Sequence, residues 1–432
     1  MRRLLGWVAA LLVWVVAAEL TALVYVYVRE GVFVWGRAAP PAPAEPAPEA
    51  EAEPEYQAHP YWAFSHRPGK PYATHLDAEG VAGLSEPGGD TSWSRVETNN
   101  HGFWSAHDFP FTPEADDAYV IGIFGGSVAT LFGLQGATPL LDALAGSPDF
   151  AGREVVVLDF GSGGYRQPQQ LWILSYFLLL GQKLDLVVNV DGFNEVAIGH
   201  MNWRTGIDVA MPSHYHLGGM DLLANLESGP LFLHKVELFR LKQELASLGR
   251  RREGARSALV YAFAGLRRDR LRPRLALLRS EPPRASLFRK TLMHPRVSAS
   301  AEDAMDRAVD LWVAGSVEMM KQARARGARY LHVLQPNQYF GSREFSEAER
   351  AVAFAEDSRF REGVRLGYPR LIEAGSRLRE AGVEFHDWSA LFDRIPEPVY
   401  ADNCCHFNQT GNDLLAKRLA EVILASGEPR PN

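Results

Sequence analysis

A serine follows an apolar run and a glycine pair in the first third of the chain. Tyr119–Leu131 reads YVIGIFGGSVATL, which predicts a buried strand, a glycine turn and then a helix. In α/β proteins such a turn lies at the carboxyl end of the sheet, where the helix N-terminus supplies free backbone N–H donors. Ser127 is therefore a candidate nucleophile. Taken alone, it would be better interpreted as a helix N-cap.

Three further segments carry the groups that a serine nucleophile needs. Gly161–Gly164 (GSGG) follows a second apolar run, and a backbone N–H from it could line an oxyanion hole. Asn194, in DGFNE after a third run, could donate its amide to the same oxyanion. His406, in DNCCH near the C-terminus, can take the proton from Ser127, and a nearby carboxylate would hold its tautomer. Each segment alone has a structural alternative: a tight turn, an Asx-turn or a histidine before a helix.

In order and placement, these segments resemble the signature blocks of the SGNH (GDSL-type) hydrolases. Serine follows the first strand, glycine the second and G-x-N the third, and histidine comes late in D-x-x-H. The matching positions are Gly126-Ser127, Gly164, Gly192-x-Asn194 and His406. The resemblance extends from His59 to the C-terminus, apart from a helical insertion. It implies that Ser127 is the nucleophile and His406 the base. The oxyanion hole would then consist of the N–H groups of Ser127 and Gly164 and the amide of Asn194.

The catalytic acid departs from the family pattern. Family spacing places an aspartate three residues before the histidine, where this chain has Asn403, and Asp402 lies four residues before it. We expect an extra residue at the Cys404–Cys405 turn to bring Asp402 into place. The alternative is a Ser127–His406 dyad in which a backbone carbonyl orients the histidine.

Charge and motif content argue against several other functions. The 432 residues carry a net charge of −7, which gives no reason to expect a nucleic-acid partner. The glycine turn at Ser127 matches no phosphate-binding motif, and no cofactor is expected. Cys404, Cys405 and His406 are adjacent and look too cramped to converge on one ion, so no metal site is predicted. The spacing of His214-Tyr215-His216 could suit a metal on a strand, but no third ligand is evident.

Alternating apolar and helical segments predict the elements that position these groups. Strands are expected at Ala118–Phe124, Glu154–Phe160, Leu184–Val190, Tyr330–Leu334 and Val383–Asp387. Helices are expected after Ser127 and at Pro168–Leu180, Ala304–Arg326, Arg359–Ala381 and Asn412–Leu424. The alternation indicates an α/β fold, with a three-layer, flavodoxin-like parallel sheet of about five strands and helices on both faces. His59–Leu84 has no clear periodicity and is expected to be an irregular lead-in.

The N-terminus predicts a membrane anchor. Arg2-Arg3 precedes an apolar run, Leu4–Val28, of about 25 residues, which is enough to cross a bilayer. Glu19 interrupts this run and suggests either a partner helix or a shifted span. An uncleaved single span is favoured, and cleavage after Ala17 or Ala18 is the alternative.

These features divide the chain into three parts. Residues 1–28 form a cytoplasmic tip and a transmembrane anchor, and the Pro/Ala/Glu-rich residues 29–58 form an extended linker. Residues 59–427 form the SGNH-like domain, in which residues 202–300 are a helical insertion that could cover the site. The domain would then be extracytoplasmic, and periplasmic if the source is a Gram-negative bacterium.

The sequence thus predicts a membrane-anchored serine esterase or O-acyl (acetyl) transferase that works through an acyl-serine intermediate. Location and family analogy suggest an acylated saccharide of the cell envelope, or another small ester, as its substrate. The alternative is a catalytically silent SGNH-fold protein that binds carbohydrate or acts as a scaffold at the membrane surface. A misplaced acid would favour that alternative.

Overall fold

The computed structural model describes residues 2–35, 56–70, 96–115, 117–219, 229–280 and 293–425. Its chain forms two compact units. One consists of Pro54–Asp221 and Arg289–Asn432, and the other of Met1–Glu53 and Leu222–Phe288. Most of the predicted linker lies outside the described residues, but its last three positions belong to the first strand.

The elements are numbered in chain order. The strands are β1 (Tyr56–His59), β2 (Ala63–His66), β3 (Tyr119–Gly125), β4 (Val155–Asp159), β5 (Leu186–Asp191), β6 (Arg329–Leu334) and β7 (Glu384–Asp387). The helices are α1 (Arg2–Glu30), α2 (Ser127–Leu131), α3 (Ala137–Ala145), α4 (Gln169–Leu179), α5 (Phe193–Arg204), α6 (His214–Gly219), α7 (Gly229–Glu253), α8 (Ala258–Ser280), α9 (Ala301–Ala325), α10 (Glu347–Ala353), α11 (Arg361–Glu380) and α12 (Gln409–Ala425). A π-helical turn, Phe132–Gly136, joins α2 to α3.

A five-stranded parallel sheet forms the centre of the larger unit. Its strand order is β4-β3-β5-β6-β7, which is the flavodoxin-like order, and the predicted α/β fold is confirmed. Every residue of β3 and β5 is buried, as expected for inner strands that are covered on both faces. Because the strands are parallel, the carboxyl ends of β3, β4 and β5 lie at the same edge of the sheet. The strand order reverses direction beside β3.

Two groups of helices cover the sheet. Helices α4, α5, α9 and α11 pack against one another, whereas α12 packs on α3 and on the π-helical turn. Reversal of the strand order places such groups on opposite faces of a doubly wound sheet. The core between the layers is strongly aromatic around Phe160, whose ring stacks on Phe124 at 4.6 Å and on Phe109 at 4.3 Å.

The lead-in is more regular than the sequence suggested. Strands β1 and β2 form an antiparallel hairpin in which Tyr56 pairs with His66. Trp62 and Phe64 from this hairpin are fully buried in the main core. The prediction of an irregular segment is therefore wrong for His59 and Ala63–His66, which lie in strands, while residues 71–84 lie outside the described residues. Each strand has only four residues, too few for an alternating pattern to be read from sequence.

The smaller unit joins the N-terminal helix to part of the helical insertion. Helix α1 is long and apolar enough to cross a membrane and is largely unburied. The carboxylate of Glu19 lies at the start of α8, where it accepts hydrogen bonds from Ser257 Oγ at 2.7 Å and from the backbone N–H of Leu259 at 3.1 Å. Glu30, at the end of α1, contacts Arg252 and Tyr261. The glutamate in the apolar run therefore caps a partner helix.

Candidate active site

Ser127 lies where β3 passes into α2. The N-cap of α2 is Gly126, and no side-chain hydrogen bond caps this helix, so the N-cap role considered for Ser127 is excluded. The serine is half-buried at the carboxyl edge of the sheet. Its hydroxyl is therefore available to another side chain.

That side chain is His406. Its Nε2 lies 2.7 Å from Ser127 Oγ, and its Nδ1 lies 2.5 Å from Asp402 Oδ2. The segment between the acid and the histidine is a tight turn closed by the backbone N–H of Ala401, which donates to the carbonyl of His406 at 2.9 Å. Three side chains separated by up to 279 positions therefore form one hydrogen-bonded chain.

The turn also fixes the second carboxylate oxygen. Asp402 Oδ1 accepts the backbone N–H groups of Cys404, Cys405 and His406 at 2.9, 3.1 and 3.2 Å. Asn403, in contrast, is exposed. The extra residue in the turn is thus accommodated as a carboxylate-capped loop, with Asp402 facing the imidazole.

The charges of this pair shift the pKa values in opposite directions. Burial alone would raise the pKa of Asp402, but the charge and hydrogen bonds of His406 outweigh burial and hold that pKa below its usual value. Burial alone would lower the pKa of His406, but the charge of Asp402 and the interactions with Asp402 and Cys405 hold it well above its usual value. The arrangement therefore stabilises an imidazolium beside a carboxylate.

Asn194 and the Gly161–Gly164 turn meet beside Ser127. Asn194 Nδ2 donates to the carbonyl of Tyr165 at 2.9 Å. A Cβ on Gly126 would lie 2.1 Å from the same nitrogen, so only glycine permits this approach. The turn after β4 is tied to β3 by a hydrogen bond of 3.4 Å from the N–H of Ser162 to the carbonyl of Gly125. The amide and the turn thus lie close to the backbone that precedes the serine.

Gly164 has a conformation that favours glycine, with φ of +77°. A Cβ at this position would lie 2.3 Å from Cε1 of His216. The ring of His216 therefore rests directly on the backbone of Gly164. It also stacks on Phe64 with a centroid distance of 5.0 Å.

Glu195 was noted in sequence only as part of the Asn194 block. In the structure, its carboxylate accepts hydrogen bonds from two backbone segments. These are the N–H of Gly192 at 2.9 Å and the N–H of Gln167 at 3.0 Å. Burial, followed by the charge of Asp191, raises the pKa of Glu195 to about 8. It links the start of α5 to the chain that follows Gly164.

A second supporting loop follows β6. From sequence, the place of residues 335–338 (QPNQ) after this strand makes them candidates for substrate contact, with a plain turn as the simpler alternative. All four residues are buried. Gln338 donates to the carbonyl of Asp402 at 3.1 Å, and the hydroxyl of Tyr339 donates to the carbonyl of Asn403 at 2.6 Å. This loop holds the backbone of the acid–histidine turn. No pattern in the sequence indicated the pairing, since the segments are more than 60 positions apart.

Two arguments about metal ligands change with the structure. His214 and His216 lie on helix α6 and bond Asn202 and Ser213, each at 2.8 Å, so the strand on which their spacing would suit a metal is not present. Cys404, Cys405 and His406 present ligand atoms within 4.8 Å of one another. The prediction that these residues are too cramped to converge on one ion is therefore wrong for the spacing of their ligand atoms.

Comparisons with known proteins give distant likenesses only. No protein-family model and no curated protein matches the chain. Among solved structures, a lipase/acylhydrolase from Enterococcus faecalis is similar at 13% identity and a TM-score of 0.32, over 73% of this chain and 100% of that one. A GDSL-like lipase from Bacteroides thetaiotaomicron is similar at 10% identity and a TM-score of 0.31, over 82% of this chain and 98% of that one. Values this low carry no argument about the function of this chain.

Proposed function

We propose that the protein is a serine ester hydrolase or O-acyltransferase of the SGNH type. The observation that supports this most directly is the continuous hydrogen-bonded chain from Ser127 Oγ through His406 to Asp402, with distances of 2.7 and 2.5 Å. A serine hydroxyl is a weak nucleophile, and it needs a base within hydrogen-bond reach and a group that orients this base. Both conditions are met here.

The reaction proceeds through an acyl-serine. Ser127 Oγ attacks the ester carbonyl carbon while His406 Nε2 takes the hydroxyl proton, and Asp402 stabilises the resulting imidazolium. The oxyanion is held by the N–H groups of Ser127 and Gly164 and by the Asn194 amide. His406 returns the proton to the leaving alcohol. Water or a sugar hydroxyl then attacks the acyl-serine, with His406 as base.

The surroundings favour an acylated saccharide over a long-chain lipid ester. His216 covers Gly164, and Tyr56 lies against it with a ring-centroid distance of 5.2 Å. Beside them, the guanidinium of Arg359 lies 4.8 Å from the ring of the exposed Tyr215. Tyrosine and histidine combine an apolar face with a polar edge, which suits a sugar ring and its hydroxyls.

Fluorophosphonate labelling tests the nucleophile. Wild type should be labelled, whereas Ser127→Ala and His406→Ala should not. Ser376→Ala is the matched control, because Ser376 is an exposed serine on α11 whose hydroxyl donates to the carbonyl of Glu373 in the same helix at 2.8 Å. A folded wild type that does not react would overturn the proposal. It would favour the catalytically silent carbohydrate-binding alternative, although the hydrogen bond between Asp402 and His406 removes the main reason for that alternative.

Hydrolysis and transfer are separated by product analysis. The enzyme is given p-nitrophenyl acetate with and without cell-envelope saccharides, and free acetate and acetylated saccharide are measured. A transferase should divert acetyl groups to the saccharide at an unchanged rate of p-nitrophenol release. A hydrolase should release acetate under both conditions.

We also propose that α1 anchors the protein in a membrane with the C-terminal domain outside the cytoplasm. Support comes from the length and apolar character of α1 and from the arginines that precede its apolar run. Protease added to intact spheroplasts should digest the domain and leave cytoplasmic markers intact. Protection of the domain until the cells are lysed would contradict this topology.

A further inference from the structure

The turn that holds the acid and histidine also carries both cysteines of the chain. The sequence has two cysteines, and both are free thiols, with Cys404 partly exposed and Cys405 buried. Their Sγ atoms are 3.4 Å apart. Within this sequence, each of the two cysteines therefore has the other as its possible disulfide partner.

The peptide between these cysteines is part of the proposed catalytic machinery. The backbone N–H groups of Cys404 and Cys405 donate to Asp402 Oδ1 at 2.9 and 3.1 Å. The other oxygen of Asp402 bonds His406. Any rotation of the Cys404–Cys405 peptide therefore alters the hydrogen bonds that orient the acid.

We propose that Cys404 and Cys405 form a reversible oxidation site that closes as a disulfide between neighbouring residues and releases Asp402 from its position against His406. The effect on turnover rests on the function proposed above, whereas formation of the disulfide does not. The oxidant is a disulfide, RSSR, either a small molecule or a protein.

The chemistry is a two-step exchange. Cys404, the more exposed of the two, gives up its proton, and its thiolate attacks one sulfur of RSSR; a mixed disulfide forms and RS⁻ leaves, taking up that proton as RSH. Cys405 then gives up its proton and its thiolate attacks the Cys404 sulfur, which forms the Cys404–Cys405 bond and expels the second RS⁻, protonated to RSH. The two cysteines together lose two electrons and two protons, and RSSR gains both.

The geometry of neighbouring residues couples this bond to the acid. A disulfide needs an S–S distance of about 2.05 Å and usually spans Cα atoms about 4.4–6.8 Å apart, whereas adjacent Cα atoms are about 3.8 Å apart. Closure from the present 3.4 Å therefore has to twist the connecting peptide. The N–H of Cys405 then turns away from Asp402. A bridge strained in this way is readily reduced, so the modification is reversible.

The test uses the full-length protein, reduced with tris(2-carboxyethyl)phosphine or oxidised with glutathione disulfide. Intact mass and thiol titration measure the bridge independently of activity. We expect a loss of two hydrogens and two titratable thiols, and recovery of both on reduction. Hydrolysis of p-nitrophenyl acetate should fall at least tenfold on oxidation and return on reduction. In Cys404→Ser and Cys405→Ser, the ratio of oxidised to reduced rates should lie much closer to one.

A readout without turnover keeps this test separate from the proposed function. The downfield proton NMR signal of the His406 Nδ1–H bonded to Asp402 should shift or disappear in the oxidised wild type and return on reduction. A stable glutathione adduct in place of the bridge would overturn the proposal, and so would a bridge that leaves both this signal and the rate unchanged. An inactive reduced enzyme that still forms the bridge and loses the signal would count against the esterase function alone.

Discussion

Asp402 bonds Nδ1 of His406 across a turn that contains one residue more than the D-x-x-H spacing, with an Oδ2–Nδ1 distance of 2.5 Å. Three consecutive backbone N–H groups hold the other oxygen of Asp402, so the longer turn still presents the carboxylate to the imidazole. Which residue faces the imidazole is thus decided by the hydrogen bonds of the turn and not by the number of residues between the acid and the histidine.

The first prediction compares neighbouring positions in that turn. Asp402→Ala should lower kcat for p-nitrophenyl acetate by about 10⁴, the size of the loss when a serine–histidine pair loses its acid. Asn403→Ala should change kcat only slightly, because that side chain is exposed. The reverse ranking would show that the acid register is wrong. Thermal unfolding of both variants controls for loss of the fold.

The second prediction concerns pH. His406 must be neutral to act as a base, and its pKa is held well above 6.5 by Asp402 and Cys405 despite burial. kcat/KM should therefore rise with pH through a midpoint above 6.5 and be lost as pH falls through it. In Asp402→Asn the negative charge is gone, so the midpoint should move to lower pH, on a much lower plateau. A midpoint that stays in place would contradict the assignment of His406 as the titrating base.

The sheet could be predicted from the sequence more fully than the segments around it. β3 and β5 were identifiable because buried parallel strands are continuous apolar runs, and the segments after β3, β4 and β5 then had to meet at one edge. The hairpin of β1 and β2 was missed because four residues carry no readable period. The contact between Gly164 and His216 was not predictable either, since it depends on how the start of the insertion folds back.

Long-range polar contacts were equally invisible in the sequence. Glu19 suggested either a partner helix or a shifted span, and α8 is such a partner, but nothing in the apolar run specified which helix it would be. The place of Gln338 after β6 made it a candidate either for substrate contact or for a plain turn, and its amide instead donates to the backbone of Asp402. Such pairings depend on tertiary geometry and leave no periodic signal.

The third prediction concerns the oxyanion. Removal of one oxyanion-hole donor typically lowers kcat by about 10²–10³, and Asn194→Ala should do so with a smaller change in KM. The variant also leaves the carbonyl of Tyr165 without the amide that now lies 2.9 Å away, so its melting temperature should be recorded alongside. Asn403→Ala serves as the asparagine control. An unchanged kcat in folded Asn194→Ala would remove this amide from the oxyanion hole.

The fourth prediction separates positioning from chemistry at Tyr339, whose hydroxyl donates to the carbonyl of Asn403 at 2.6 Å. The same hydroxyl also interacts with Ser358 and with the backbone of Ala355. Tyr339→Phe removes this oxygen and with it all three contacts. A net hydrogen bond contributes about 0.5–1.5 kcal/mol, so kcat should fall by about 2- to 10-fold with KM unchanged, because the turn that aims Asp402 becomes looser.

Tyr61→Phe is the matched control, since Tyr61 is 65% exposed. Among the described residues, no hydrogen bond joins its hydroxyl to the acid–histidine turn. Fluorophosphonate labelling of Tyr339→Phe should slow by the same factor as kcat, because both reactions depend on the imidazole. A purely structural role would instead lower the melting temperature while leaving the labelling rate of the folded fraction unchanged. That result would exclude Tyr339 as a positioning residue.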